Sequence, residues 1–220
     1  SPLFPYTTLF RSNMSDLLRS HGHEVIPFSM HHPRNLPCAY SDYFAEHFNP
    51  EQLRESVRRP LALARKAARV CYNRNAQQQL ARLIRDTQPE LVHLHSIYHH
   101  LSPAVLSTLK AFNLPVVMEL HDYKLICPNY IFLDGRRRLC EACRGRYFYH
   151  AVAKRCFRDS YTASLLVAVE ARLHRCLASY KKNVDVFVSP SRFLADKMKR
   201  YGYGSKPILV QPYSLDLSAY

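Results

Sequence analysis

Residues 90–123 read ELVHLHSIYHHLSPAVLSTLKAFNLPVVMELHDY. Two apolar runs, one closing on His95 and one on His121, flank a segment that opens with Ser102-Pro103. Leu91 to His95 is a short strand. Its alternation puts His93 and His95 on one face. Ser102 supplies a hydroxyl cap and Pro103 sits in the first turn, where a missing N–H costs nothing. The spacing predicts a helix from there to about Phe112, stopped at Asn113. Pro115 then opens a second strand, Val116 to Leu120, which ends at His121-Asp122-Tyr123. A strand–helix–strand unit of ~30 residues is the βαβ crossover of a parallel sheet. Ligands of such sheets lie beyond the carboxyl ends of the strands. His95 and His121 both fall there.

Upstream, Asn13 to Ser20 reads as the tail of a helix ended by Gly22, and Glu24 to Met30 as a strand. Residues 31–50 are rich in proline and aromatic residues (Pro33, Pro37, Tyr40, Tyr43, Phe44), which predicts an ordered loop. Glu51 to Asp86 is helical with a break at Pro60. Downstream of His121 the alternation stops for almost forty residues. Asp159-Ser160 then caps a long helix to about Lys182. Asp185 to Val188 is a strand, Ser191 to Tyr201 a helix stopped by Gly202, and Ile208 to Val210 the last strand. The order predicts an α/β fold: a Rossmann-like, open, mostly parallel sheet with helices on both faces and a cysteine-containing insert at 122–160. A helix tail followed by a strand lacks a preceding strand, so the first strand is expected to be missing.

Composition narrows the function classes. The chain has 220 residues, 47% of them hydrophobic, enough for a substantial core. No apolar run approaches the ~18–20 residues that cross a bilayer; Tyr161 to Leu177 is interrupted by Glu170, Arg172, His174 and Arg175. The formal charge of +14 points to an acidic partner, whether anionic lipid, nucleic acid or a phosphorylated substrate. Seven cysteines are an odd number, and the chain shows no convincing signal peptide, which disfavours a disulfide-built secreted framework. Residues 1–12, SPLFPYTTLFRS, differ in character from the rest. They resemble the translation of a sequencing adapter and are set aside as an artefactual tail.

The insert carries Cys127, Cys140, Cys143 and Cys156. Cys140-Glu141-Ala142-Cys143 is a C-x-x-C pair, with twelve intervening residues to Cys127 on one side and to Cys156 on the other. Such a pair places two thiolates on one turn, and two more complete the tetrahedral set that zinc prefers. Arg136, Arg137, Arg138 and Arg144 favour thiolate ionisation. A disulfide or redox pair, an iron–sulfur cluster and plain buried thiols are the alternatives.

Five stretches carry a resemblance: LVHLHSIYHHLSPAVL, VVMELHDYKLICPN, the DGR…CEAC…C insert, DVFVSPSRFLADKM and ILVQPYSLD. In this order they resemble the N-terminal half of a retaining glycosyltransferase of the family 4 (group 1) type. The loop SMHHPRNLPCAYSDYF is similar to a subset of that family with the same cysteine insert. The resemblance covers residues 13–216 and implies one half of a GT-B architecture, the acceptor-side domain. Residues 217–220 would begin the hinge to a missing donor-binding domain. It implies transfer of a sugar, of the hexosyl type, from a nucleotide-sugar to a glycan or lipid-linked acceptor with retention. The isolated piece is expected to be inactive.

The family's strand-end H-D pattern falls on His121, which implies a catalytic contact to the donor sugar. His95, Tyr123 and Asn129 are expected on the same rim as acceptor-binding residues. Ser191 is expected at a helix start, where it either faces a phosphate or simply caps the helix. The expected setting is cytoplasmic, with the basic surface on the inner face of a membrane and no nucleic acid. Two other readings compete. One is a zinc-stabilised nucleic-acid-binding module, and the other a metal-dependent hydrolase using His93, His95 and His121.

Overall fold

The computed structural model describes residues 5–47, 60–144 and 147–213. The expected helical residues 51–59 and the hinge at 217–220 lie outside them. The first helix, α1 (Pro5–Ser20), runs through the adapter-like residues without interruption and ends at Gly22, whose φ is +84°. Two helices follow the early loop: α2 (Pro60–Cys71) and α3 (Arg74–Thr87). The single helix expected from Pro60 to Asp86 is thus broken at Tyr72-Asn73. Asn73 makes that break, because its side chain accepts the Ala76 N–H and so starts a new helix.

Next come β1 (Val92–His95), the short α4 (Tyr98–Leu101), α5 (Val105–Ala111) and β2 (Val116–Glu119). The helix starts slightly later than Ser102-Pro103 suggests. Ser102 has φ +60° and separates α4 from α5. Its buried hydroxyl accepts N–H groups from Ala104 at 3.3 Å and from Asn73 at 2.9 Å. Asn113 stops α5 in the left-handed region, φ +54°, as its side chain permits.

Within the insert the chain forms α6 (Tyr149–Ala153), and beyond it α7 (Tyr161–Cys176), α8 (Ser179–Asn183), β3 (Val186–Ser189), α9 (Arg192–Met198) and β4 (Ile208–Val210). Ser160 caps α7 through the Ala163 N–H. The helix expected to reach Lys182 is split instead, because Ala178 takes φ +52° and turns the chain into α8. A wide turn, Lys199–Tyr203, continues α9 and closes at Gly202, φ +91°.

The four strands form one parallel sheet in the order β1-β2-β3-β4, flanked by helices. Asp185 extends the β2–β3 ladder by one residue: its carboxylate accepts the Val116 N–H at 2.9 Å while its own N–H donates to Val116 O. The expected strand from Glu24 to Met30 is not in the sheet. It makes only a parallel bridge, Met30 to Ala45. Pro27, in its middle, has no N–H to offer a ladder. Residues 31–47 pack as a loop on α3, where the Tyr43 hydroxyl donates to Asp86 and Arg82 lies over the Tyr43 ring.

The core is one cluster around the sheet. Leu106, Leu109, Met118, Leu120 and Phe187 are fully buried. Each such side chain contributes roughly 1.5–3 kcal/mol relative to exposure. Strands covered on both faces need continuous apolar runs, and this makes the charged residue at the end of β2 conspicuous.

Candidate functional site at the carboxyl edge of the sheet

That residue is Glu119, 2% exposed. The parallel register sets it opposite His95. His93 and His95 project from the same face of β1, and Glu119 Oε2 lies 3.3 Å from His93 Nε2 and 3.7 Å from His95 Nδ1. His95 Nδ1 is 3.0 Å from His121 Nε2, and His121 Nδ1 is 2.7 Å from the Tyr213 hydroxyl. The His121 and Tyr213 rings stack at 17° with centroids 5.9 Å apart. His95, His121 and Tyr213 thus form one hydrogen-bonded line across the carboxyl edge of the sheet, with the Glu119 carboxylate 3.7 Å from the same His95 nitrogen that meets His121.

Burial, with Glu119 and Asp122 nearby, pushes the Tyr213 phenol up to about 12, so it keeps its proton at neutral pH. When that proton is donated to His121 Nδ1, His121 Nε2–H donates to His95 Nδ1. With both bonds reversed, the His121 ring donates to the phenol instead. Two polarities satisfy the same atoms. A line of this kind can orient a hydroxyl and can move a proton along itself.

The structure joins His95 and His121, as the strand-end reading expects. The other named residues have partners of their own. Tyr123 packs on Phe132 with centroids 4.7 Å apart. Asn129 is buried within the insert: its amide nitrogen donates to Leu133 O and Cys156 O, and its oxygen accepts from Cys127 Sγ at 2.9 Å and from Ile131 N. Ser191 caps α9, its hydroxyl accepting the Leu194 N–H at 3.2 Å. Glu119 and Tyr213 are the members that sequence reasoning missed. A lone carboxyl in an otherwise buried strand, beside an H-x-H strand, was the available signal for Glu119.

Among the described residues, His93, His95 and Glu119 are the group whose three potential ligand atoms all lie within 4.8 Å of one another. The four insert cysteines are free thiols that line one small cavity together with Phe132, Leu133 and Ala151. Burial, reinforced by the neighbouring thiols, pushes Cys143 up to about 12 and Cys156 to about 11.

The edge is held in place from below. Lys124, three residues after His121, is buried, and its ammonium lies 2.6 Å from Glu170 Oε2 on α7. Its backbone N–H donates to Asp122 at 2.8 Å, and burial raises the Asp122 carboxyl. His99 Nδ1 approaches the same Glu170 oxygen at 3.5 Å. One turn further along the same face of that helix His174 meets Ser179 Oγ and Cys71 O, each at 3.1 Å.

Burial lowers both rings from the ordinary histidine value. Lys124, His100 and Arg158 add to the effect at His99, whereas Glu170 opposes it at His174. Below about pH 6.5 the unfolded chain takes up protons that the native chain refuses. Stability is therefore present above that pH and is lost as pH falls toward the folded values. The melting midpoint is expected to be lower at about pH 5.5 than at about pH 7.5, and a His99→Gln/His174→Gln chain should show a smaller difference. Equal wild-type midpoints would contradict buried neutral rings.

No helix among the described residues is long and apolar enough to cross a membrane. Comparison with known protein families matches residues 12–219 to Glycosyltransferase Family 4. Comparison with curated proteins gave no match, and neither did comparison with solved structures. A match over nearly the whole length, on a parallel α/β sheet with its polar line at the carboxyl edge, settles the family. The chain belongs to glycosyltransferase family 4.

Proposed function

We propose that this chain is the acceptor-side half of a retaining, hexosyl-type transferase that moves a sugar from a nucleotide-sugar to a glycan or lipid-linked acceptor. The observation that carries the reading is the Glu119–His95–His121–Tyr213 line at the end of the sheet where ligands of such folds bind. His121 is the residue assigned to the donor sugar. Tyr213 is 45% exposed, and a sugar hydroxyl takes its place at His121 Nδ1 when substrate enters. His95, backed by Glu119, then fixes the tautomer and ring angle of His121, which orients the sugar. Retention needs no protein nucleophile here. The barrier is lowered by stabilising the departing diphosphate, a task for a second domain beyond this half. The +14 charge suits approach to an anionic membrane surface that carries the acceptor.

The test is turnover. The 220 residues alone should release no nucleotide from UDP- or GDP-hexoses, with or without a glycan acceptor, and should gain activity when the second half is supplied. Transfer by the 220 residues alone would overturn the half-enzyme reading. A second reading, metal-dependent hydrolysis, draws on the closeness of His93, His95 and Glu119. Metal-stimulated hydrolysis of a phosphoester, abolished by His93→Ala, would favour it.

A further inference from the structure

We infer that the insert is a structural metal site in which Cys127, Cys140, Cys143 and Cys156 bind one thiophilic divalent ion of the zinc class. Three separate segments bring the four thiols to the lining of one cavity: the turn after Lys124, the C-x-x-C, and the stretch just past α6; no three of the sulfurs lie within 4.8 Å of one another, so the ion draws them together on binding. The cavity has room for a guest of about one atom and none for an organic ligand. Its wall is otherwise apolar apart from Asn129, whose amide is already spent on the insert's own backbone.

The insert needs such a cross-link. Between Lys124 and Phe148 the described residues contain only one isolated bridge, Leu133 to Leu139. A segment of that length without helix or strand is uncommon unless it is functional or stapled. Six non-glycine residues of the insert (122–160) sit at positive φ: Tyr130, Phe132, Arg137, Arg155, Arg158 and Asp159. A conformation of that kind costs on the order of 1 kcal/mol or more per residue and persists only where the surroundings enforce it. The chain closes tightly at Gly135, where an added Cβ would lie 2.4 Å from Lys154 O.

The surroundings fit a thiolate cluster. Lys154 Nζ lies 3.2 Å from Cys140 Sγ and would offset part of the negative charge that four thiolates leave on a divalent ion. Glu141, inside the C-x-x-C, bonds to Lys197 and to the Tyr201 hydroxyl, and so docks the loop on α9. Four sulfur donors select zinc over magnesium or calcium. Binding exchanges the thiol protons for the ion, so it also releases protons.

Elemental analysis of the whole chain is the test. The expected result is about one zinc per chain. Removing it with a chelator should lower the melting midpoint, and cobalt added to the metal-free chain should give the intense sulfur-to-metal charge-transfer absorption of thiolate ligation. Cys143→Ser should lose most of the metal, whereas Cys176→Ser and His93→Ala should keep it. The wild-type cobalt spectrum decides the question even if Cys143→Ser does not fold. A metal-free chain with disulfides among these four cysteines would overturn the proposal. So would an iron chromophore, or metal lost in His93→Ala but kept in Cys143→Ser.

Discussion

Glu170→Leu lowers the stability of the chain by about 3–5 kcal/mol, the cost of stranding a buried charge. Lys124 is 5% exposed, and its ammonium also donates to Pro128 O at 3.4 Å. Without Glu170 it must stay charged in a medium that solvates it poorly or give up its proton. A domain is commonly stable by only 5–15 kcal/mol, so the loss is a large fraction of the whole. Its location matters as much as its size. Lys124 ties the segment after His121 to α7, and Tyr180 and Tyr203 pack beside the pair. The double variant Lys124→Met/Glu170→Leu, which removes both charges, should recover most of the loss, because an apolar pair of similar volume is often as stable as a buried ion pair. Urea unfolding of the two variants is the check. A double variant as unstable as Glu170→Leu alone would mean that α7 loses something other than charge balance.

His121→Ala, in the enzyme complete with its donor-binding half, is expected to lower kcat by about 100-fold or more, the usual scale for losing a positioning contact at the reacting centre. On the proposed half-enzyme reading, donor KM should change much less, since that reading puts most of the nucleotide contacts in the donor-binding half. His95→Ala should cost less than His121→Ala, because His95 acts through the His121 ring. Tyr213→Phe removes the hydroxyl at His121 Nδ1 while keeping the stacked ring, and should leave kcat nearly unchanged if substrate displaces that hydroxyl in any case. A kcat for His121→Ala within a few-fold of wild type would remove His121 from the chemistry. A KM effect with unchanged kcat would make it a binding residue only.

The architecture was legible where pattern and local chemistry agree. The H-x-H strand, the apolar run after Pro115, the Ser160 and Ser191 caps, and the stops at Asn113 and Gly202 all form as their residue types demand. Two of the misreadings share one cause. Ser102 and Ala178 take positive φ without being glycine or asparagine, because tertiary packing enforces the turn, and no composition rule marks such a position. Glu24 to Met30 has strand-like residues but pairs at one bridge only. The site was half legible. His95 and His121 are strand ends and can be read directly. Glu119 acquires its role from the register opposite His95, and Tyr213 reaches His121 from 92 residues away. Asn129 reads like a rim residue, yet its side chain is consumed by the turn that buries it.

The most direct test of the central claim, that the histidine line is where sugar binds, is the imidazole ¹⁵N spectrum of the chain titrated with UDP- and GDP-hexoses and with sugars on short alkyl-diphosphate carriers. The account predicts saturable shifts of the His95 and His121 rings together, unmoved rings for the half-buried His99 and the buried His174, and loss of the response in His121→Ala. Saturable binding that leaves His95 and His121 unmoved would contradict it.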